Sequence, residues 1–389
     1  MSEWREITLG DFVSLQRGHD LTENERKPGH IPVMGSAGMN GCHNTALAKG
    51  PGVVVGRSGA SFGQVHYCRS DYWPHNTALY VTDFRGNDTR FTYYFLKSLD
   101  FTRYNSGSAQ ASLNRNYIYP IPIRVPEPTE QRAIASVLGA LDDKIELNRR
   151  MNETLEALAQ SLFKSWFLDA TRDGIPRGWR EVSVGDEAEL VKGVSYRSVE
   201  LADSETALVT LKSFKRGGGY RSDGLKPYTG EFDREQIVEP GELVVANTDV
   251  TQAAEVIGKP ALVLPDGRFK TLVASLDLTI VRPKASDLSR HFFYLLFRTD
   301  DFQSHIYGHT NGTTVLHLSK TGIPTYRFAR PPESVAREFS RIVASLYQRI
   351  EANEAESRTF AAFRNALLPK LLSGEVRVPD AKQELACHA

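Results

Sequence analysis

The stretch Trp4-Arg5-Glu6-Ile7-Thr8-Leu9-Gly10-Asp11 occurs a second time, 175 residues later, as Trp179-Arg180-Glu181-Val182-Ser183-Val184-Gly185-Asp186. A later match, Ile145-Glu146-Leu147-Asn148 with Ile350-Glu351-Ala352-Asn353, has an offset of 205. Self-similarity of this kind indicates a repeated structural unit. Because the offset grows from 175 to 205, the second globular part has thirty additional residues.

Each repeat contains short runs rich in β-branched residues and bounded by Gly, Pro, Asn or Asp. The runs at 52–56 and 76–81 in the first repeat, and at 242–245 and 277–281 in the second, are typical of strands. One helix is predicted in each repeat, near 91–100 and 289–301. The sequence therefore predicts two mixed α/β domains with long loops, and loops on a rigid sheet often determine binding specificity.

Two long helices are predicted after the globular parts, because apolar residues there recur with a heptad period. An antiparallel pair with Asn148 opposite Asn353 brings apolar layers together at both ends, and a central Asn layer can fix register. A parallel pair would also match apolar layers, and a solvated gap in the seam is the alternative for the Asn layer. The positions predicted to pair are Leu141, Ile145, Asn148, Leu155, Leu162, Leu346, Ile350, Asn353, Phe360 and Leu367.

The predicted fold class is α+β, with two mixed α/β domains joined by two long antiparallel coiled-coil helices in a pseudo-twofold duplication. The first domain spans 1–125 and is followed by a helical segment at 126–170. The second domain spans 171–330 and is followed by a helical segment at 331–376, with a tail at 377–389. An antiparallel pair lets each helix return to a globular domain at its far end.

Composition excludes several classes of protein. Lys+Arg and Asp+Glu are both 47, so net charge alone does not indicate a nucleic-acid partner. The sequence has no basic segment followed by an apolar run at its start and no run of 18 apolar residues, so neither a signal peptide nor a membrane span is expected. Cys42, Cys68 and Cys387 have no CxxC spacing, which favours reduced thiols in a cytosol over a disulfide framework or a metal site.

Three stretches lead into the first long helix: Gly-Ser-Ala-Gln-Ala-Ser-Leu at 107–113, Pro-Ile-Pro at 120–122 and Pro-Glu-Pro-Thr-Glu-Gln at 126–131. Together with the repeated order of domain and helix, they resemble the specificity subunits of type I restriction–modification systems. The stretch at 371–378 is similar to the family's helix exit. The second repeat departs from the pattern, since Val315 stands where Gln110 would recur and Arg327 where Pro122 would.

The resemblance implies a non-catalytic subunit that reads a bipartite double-stranded DNA target. It also implies two methyltransferase subunits on the helices and restriction/translocase subunits in the full complex. No cofactor is expected on this chain, and S-adenosylmethionine, ATP and Mg are expected on the partners. The expected location is a bacterial or archaeal cytosol, without membrane association.

Catalytic motifs are absent from the sequence. It has no Asp/Asn-Pro-Pro-Tyr/Phe run of an amino-methyltransferase, no GxxxxGK[ST] phosphate loop and no HExxH or zinc-type spacing. The Gly-rich stretch at 56–63 fits neither nucleotide-binding spacing, so a turn between strands is favoured. No catalytic residue and no metal ligand is therefore predicted.

Candidate DNA contacts are residue types that read bases or hold phosphates: Arg and Lys, Asn and Gln, Ser and Thr. His317 is a further candidate for a DNA contact, but it lies among apolar residues, so a place in the core is the alternative. Two other classes of protein stay open, a stand-alone enzyme with unseen motifs and a duplicated module that binds carbohydrate or protein. The candidates are Arg57, Ser58, Ser61, Ser108, Gln110, Asn114, Arg115, Lys212, Ser213, Lys215, Arg216, Tyr220, Asn247, Thr248, Thr251, Gln252, Asn311, Thr313 and Thr314.

Overall fold

The structure is a computed structural model and describes residues 4–107, 111–250 and 253–386. The chain forms two compact units. Unit 1 consists of Met1–Asn148 with Ala355–Ala389, and unit 2 is Arg149–Glu354. No helix within the described ranges is both long enough and apolar enough to cross a membrane.

Unit 1 contains the first repeat. Its helices are α1 (Leu9–Phe12), α2 (Thr89–Ser98) and α3 (Arg115–Ile118). Its strands are β1 (Arg5–Thr8), β2 (Ser14–Arg17), β3 (Ile31–Gly35), β4 (Gly38–His43), β5 (Gly52–Gly56), β6 (Val65–Cys68), β7 (Trp73–Pro74), β8 (Ala78–Asp83) and β9 (Pro122–Val125).

The long helix α4 (Pro128–Phe163) follows and continues as a π-helical turn, Lys164–Leu168. The strands of the second repeat are β10 (Arg180–Ser183), β11 (Ala188–Lys192), β12 (Thr206–Val209), β13 (Lys226–Pro227), β14 (Leu243–Ala246), β15 (Thr248–Asp249), β16 (Pro260–Leu262), β17 (Thr271–Ala274), β18 (Leu278–Pro283), β19 (Thr310–Asn311), β20 (Leu316–Leu318) and β21 (Arg327–Arg330). The remaining helices are α5 (Val184–Glu187), α6 (Arg290–Leu296), α7 (Asp300–Gly308), α8 (Gly322–Thr325), α9 (Glu333–Ser373) and α10 (Val378–Ala386).

Three sheets of the first repeat recur in the second, which also contains a further sheet in the order β15-β20-β19. An antiparallel sheet in the order β2-β8-β5-β6 recurs as β11-β18-β14-β16. The pair β1-β9 recurs as β10-β21, and β4-β3-β7 as β13-β12-β17. The predicted α+β class and the duplication are therefore confirmed in three dimensions.

The repeated octapeptide encodes one local structure twice. Its first half forms β1 or β10, and its second half begins a one-turn helix. The Thr8 side chain accepts from the Asp11 N–H while the Asp11 carboxylate accepts from the Thr8 N–H, and Ser183 and Asp186 form the same capping box. These reciprocal bonds satisfy two backbone donors at each helix start, so each helix begins at the same place in its repeat.

The long helices run antiparallel in both units. In unit 1, Asp142 of α4 accepts from Arg364 of α9 at 2.7 Å, and further along α4, Asn148 donates to Ser357 at 3.2 Å. In unit 2, Asn353 donates to Asn152 at 2.8 Å, and further along α4, the Phe163 ring lies 5.9 Å from the Phe339 ring, centroid to centroid. Residue numbers therefore fall along α9 as they rise along α4, so the two helices are antiparallel, as predicted.

The apolar stripes of both helices are buried in the cores. Leu141 and Leu367 lie in the main core of unit 1, with Phe360 packed against it. In unit 2, Leu162, Leu346 and Ile350 pack against the core around Phe163 and Phe339. The remaining predicted positions, Ile145 and Leu155, are partly buried.

The central Asn residues are buried, with 3% of Asn148 and 1% of Asn353 exposed. Asn148 also donates to Glu356 within unit 1, at 2.7 Å. Each Asn thus has polar partners within its own unit, and the direct pairing of Asn148 with Asn353 stays a prediction. Burial of both side chains rules against a solvated gap at these positions.

Three features of the structure differ from the sequence predictions. The helix predicted at 289–301 is two helices, α6 and α7, because the Thr299 side chain accepts from the Phe302 N–H and begins a new helix. The predicted tail at 377–389 contains α10, and its Val378 and Ala381 are buried in the core of unit 1. The helical segments at 126–170 and 331–376 are not separate bodies, since each helix contributes to both units.

Candidate nucleic-acid interface

A polar cleft of about 580 Å³ opens in unit 1 where β2, the end of β5 and the start of α3 meet. Three arginines, Arg17, Arg57 and Arg115, line it together with one carboxylate, Asp20. The other polar side chains in its lining are Gln16, His19, Ser106, Ser112, Asn114 and Asn116. The cleft therefore carries a net positive charge and many hydrogen-bonding groups.

Unit 2 has a cleft of the same size, about 580 Å³, between β11, the end of β14 and the segment before α8. Its cations are Lys192 and Lys320, and its carboxylate is Asp277. The other polar side chains in its lining are Asn247, Thr248, Thr279, His317 and Ser319.

Arg57 and Asn247 occupy the same backbone position in the two clefts, because each is the residue that follows the central strand, β5 or β14. The Arg57 N–H donates to the Thr77 carbonyl at 2.8 Å. The Asn247 N–H donates to the Asp277 carbonyl at 2.7 Å. These donors therefore point to the same place in each sheet.

The carbonyl groups of the same two residues are also bonded alike. Leu113 N–H donates to the Arg57 carbonyl at 2.8 Å, and Leu318 N–H donates to the Asn247 carbonyl at 2.8 Å. The neighbouring residue of each pair forms a further bridge, Ser58 with Ser112 in unit 1 and Thr248 with His317 in unit 2. The backbone of both clefts thus has one hydrogen-bond pattern.

Glycine is required at one wall of the unit 1 cleft and at the equivalent position of unit 2. A Cβ atom on Gly18 would lie 2.2 Å from the His75 carbonyl oxygen, and one on Gly193 would lie 2.1 Å from that of Ser275. Any larger residue would push the strands apart at this point. Gly18 and Gly193 are among the residues that recur at the offset of 175.

Two cationic positions recur in both clefts. Arg17 at the end of β2 corresponds to Lys192 at the end of β11, and Arg115 corresponds to Lys320. The sequence predictions included Arg115 but missed Arg17, Lys192 and Lys320. The internal repeat held the signal, because the first pair has the offset of 175 and the second the offset of 205.

The side chains that line the clefts differ in the hydrogen bonds that hold them in place. Arg115 Nη1 donates to the Leu15 carbonyl at 2.7 Å, which anchors this exposed side chain. Arg57 Nη1 makes a contact of 3.4 Å with the Asn76 carbonyl, near the limit for a hydrogen bond. The Asn247 Oδ1 accepts from the Thr279 hydroxyl at 2.9 Å, which leaves the amide N–H groups as donors.

A second group of cations in unit 2 lies in the connection between β12 and β13. In unit 1 the equivalent turn, between β3 and β4, is Ser36–Ala37, whereas in unit 2 the connection is Thr210–Leu225. Lys212, Arg216 and Arg221 line an adjoining cleft of about 590 Å³, and Asp277 lines both clefts.

Ion pairs offset part of that charge. Arg216 Nε lies 3.3 Å from Glu255 Oε2, and Arg221 donates to Asp223 at 2.6 Å. The Arg221 guanidinium lowers the pKa of the Asp223 carboxyl. Lys215 is exposed, and its backbone N–H donates to the Gly219 carbonyl.

Other candidates lie on exposed loops and turns. Ser61 lies in the turn after β5, where its carbonyl accepts from the Gln64 N–H. Thr313 and Thr314 lie at the exposed tip of the β19–β20 hairpin, which also carries Asn311. The structure therefore brings Arg57, Asn114 and Arg115 together in one cleft, and Asn247 and Thr248 in the other.

Several candidates do not fit a DNA-contacting surface. Ser213 is fully buried, where its hydroxyl accepts from the Thr210 N–H, and Tyr220 is 6% exposed in an apolar core. Including these two side chains in the surface was wrong, because burial removes them from a ligand. His317 is exposed, which contradicts a place in the core. Ser108, Gln110, Thr251 and Gln252 lie outside the described residues.

Metal chemistry finds no support in the part of the chain that the structure describes. There, no group of three or more His, Cys, Asp or Glu side chains could hold a metal ion. Cys42 and Cys68 are free thiols, and burial raises the pKa of Cys68 to about 12. This thiol is therefore not activated at neutral pH.

Known proteins match the chain over most of its length. Residues 1–157 match the family model of the type I restriction modification DNA specificity domain. The chain is 24% identical to the type I restriction enzyme MjaIX specificity subunit of Methanocaldococcus jannaschii, over 85% of this chain and 78% of that protein. It is 22% identical to the type I restriction enzyme HindI specificity subunit of Haemophilus influenzae, over 97% of this chain and 100% of that protein.

A solved structure has the same fold. The S subunit of a type I restriction–modification system from M. genitalium matches with a TM-score of 0.59 and 17% identity, over 95% of this chain and 96% of that one. At this identity the likeness concerns the fold alone. With a match to the specificity domain at residues 1–157 and similarity over 85% and 97% of its length to two specificity subunits, the chain resembles the specificity subunits of type I restriction–modification systems.

Proposed function

We propose that this chain is the DNA-recognition subunit of a type I restriction–modification complex and that each repeat reads one half of a bipartite DNA site. The observation that carries the proposal is the pair of equivalent cationic clefts, one in each unit. Both clefts have a volume of about 580 Å³ and share one backbone hydrogen-bond pattern. Duplicated clefts fit a ligand that presents two similar sites.

The side chains of the clefts suit double-stranded DNA. Arg and Lys attract phosphates, and Arg, Asn and Ser read base edges through hydrogen bonds. The net charge of the chain is zero, so the attraction has to be local. In unit 1 the cleft lining contains three arginines and one carboxylate, Asp20, whose Oδ1 lies 3.5 Å from Arg17 Nη2. A neutral protein with a local positive cleft can hold DNA without broad non-specific binding.

The long helices have a structural role in the proposed complex. They set the distance between the half-sites and provide the docking surface for two methyltransferase subunits. Catalysis belongs to the partner subunits, which bind S-adenosylmethionine, ATP and Mg and which work with this chain in the cytosol. This chain contributes sequence recognition and has no nuclease, ATPase or methylation activity of its own.

The test is the methylated motif in cells that lack other type I systems. The full chain is expressed with its methyltransferase subunit, and methylated adenines are mapped across the genome. We expect one bipartite motif with a spacer of fixed length. The control is Lys97→Ala, an exposed side chain that lines neither DNA cleft, and it should leave the motif unchanged. A continuous motif, or methylation by the purified chain alone, would refute the proposal.

A further inference from the structure

We propose that the residue after the central strand selects a base in each half-site, Arg57 in the first and Asn247 in the second. The repeated cations around these residues hold the DNA backbone, namely Arg17 and Arg115 in unit 1 and Lys192 and Lys320 in unit 2. This inference rests on the proposed function and assigns its recognition chemistry to named side chains.

The backbone at this position is fixed in both units. The N–H and the carbonyl of Arg57 are both bonded to the surrounding strands, at 2.8 Å each. The same groups of Asn247 are bonded at 2.7 and 2.8 Å. A side chain at this position therefore leaves the sheet at the same place in both units. Rigid support of this kind is what a base-reading residue requires.

The side chain at this position differs between the two units, whereas the flanking positions keep their positive charge. Arg57 can donate two hydrogen bonds to O6 and N7 of guanine, whereas Asn247 can pair with N6 and N7 of adenine. The flanking positions hold a cation in both units, as Arg17 or Lys192 and as Arg115 or Lys320. Phosphates are the same in every sequence, so the residues that hold them can stay cationic while the reading residue changes.

The burial and hydrogen bonding of the Arg57 and Asn247 side chains leave both able to contact a base. Arg57 is half-buried, and its 3.4 Å contact with the Asn76 carbonyl can be exchanged for a better partner. Asn247 is oriented through its oxygen by Thr279, so that its N–H groups stay available as donors. By contrast, Arg216 is largely exposed and is paired with Glu255. The structure thus favours Asn247 over Arg216 as the base-selecting residue of the second unit.

The test compares motifs from cells that express each variant with the methyltransferase subunit. In Arg57→Asn, preference for guanine at one position of one half-site should fall by about 5- to 150-fold, and the other half-site should stay unchanged. In Asn247→Ala, preference for adenine should fall similarly in the opposite half-site. Arg57→Lys keeps the charge and loses the fork of donors, so it covers the case in which Arg57→Asn does not fold.

The cation variants serve as the matched comparison. Arg115→Ala and Lys320→Ala should weaken binding of the reconstituted complex to duplex DNA on all sequences, with an unchanged motif. The slope of log affinity against log salt should decrease by about 1 for each variant. A changed motif in these variants would overturn the assignment of roles.

The two proposals fail in different ways. If the unmodified chain gives no bipartite motif, the proposed function is wrong. If it gives one and folded Arg57 and Asn247 variants retain it in full, only this inference is wrong. Melting temperatures of the purified chains separate loss of folding from loss of recognition.

Discussion

The guanidinium of Arg90 donates to both carboxylate oxygens of Asp143, at 2.7 Å from Nη1 to Oδ2 and 2.9 Å from Nη2 to Oδ1. This ion pair fastens α2 of the first repeat to α4 within unit 1. Gly139 makes room for it, since a Cβ atom there would lie 2.6 Å from the Arg90 Cζ. Arg90 also donates to the Gly139 carbonyl at 2.9 Å.

We expect Arg90→Ala to lower the free energy of unfolding by about 1.5–3 kcal/mol. The reason is that hydrogen bonds to charged groups contribute more than neutral ones, and the substitution removes three of them. Urea unfolding of the purified chain measures the change. Arg103→Ala is the control, because Arg103 is exposed and lies 3.5 Å from Asp100, so it should change stability by less than about 0.5 kcal/mol. Equal effects of the two variants would contradict the proposed role of the pair.

A second prediction concerns pH. Burial lowers the pKa of His291 to about 4, and the ring stacks on Tyr347 with centroids 4.7 Å apart. Neither ring nitrogen has a hydrogen-bond partner within the described ranges. In the unfolded chain this histidine binds a proton near pH 6.5, whereas in the folded chain it stays neutral until about pH 4. Unfolding is therefore favoured as the pH falls from 6.5 towards 4.

His291→Phe keeps the ring and removes this titration. As the pH falls from 7 to 4, the free energy of unfolding of the variant should rise by about 3 kcal/mol relative to that of the unmodified chain. Melting temperatures at several pH values measure it. His317→Phe is the control, because His317 is exposed. A constant difference across the pH range would show that His291 protonates as easily in the folded chain as in the unfolded one.

The third prediction concerns the polar centre of the helix pair. Asn353→Leu removes the donor to Asn152 Oδ1 and leaves that group without the bond, which should cost about 1–3 kcal/mol. Adding Asn152→Leu replaces both partners by apolar groups and should restore part of the loss. A thermodynamic cycle with the two single variants gives their coupling. Strictly additive effects would mean that this hydrogen bond does not contribute to stability.

The fourth prediction concerns half-site spacing. Helix α4 has 36 residues and α9 has 41, which correspond to about 54 and 62 Å of helix. Four extra residues after Arg150 and four after Ala355 lengthen both helices by about 6 Å and keep the pairing faces aligned. The spacer of the methylated motif should grow by one or two base pairs, at about 3.4 Å each. Both half-site sequences should stay the same.

The same insertion in the Thr210–Leu225 connection is the control, and it should leave the spacer unchanged. If the double helix insertion retains full activity with the original spacer, the helices do not set the distance. Loss of all activity is separated from misfolding by circular dichroism, since the lengthened helices should raise the helical content slightly.

Local patterns in the sequence determined the elements and their repetition. The capping boxes of Thr8 with Asp11 and of Ser183 with Asp186 use residues three positions apart, so the octapeptide alone predicts each helix start. The heptad stripes predicted the long helices, because apolar periodicity acts over neighbouring turns. The offsets of 175 and 205 also relate Arg17 to Lys192 and Arg115 to Lys320. Of these four cations, the sequence predictions included only Arg115.

The tertiary structure alone decided which polar side chains are available. Ser213 and Tyr220 stand in a basic, Gly-rich stretch that is typical of an exposed loop, yet both are buried, and Tyr220 packs in a core with strands distant in sequence. The equivalence of Arg57 and Asn247 has no sequence signal, because their offset of 190 matches neither repeat offset and their residue types differ. Hydrogen bonds to Thr77 and Asp277 and from Leu113 and Leu318, all distant along the chain, place the two residues in one position. Local interactions fix helices and caps, whereas burial and the meeting of distant strands depend on the whole fold.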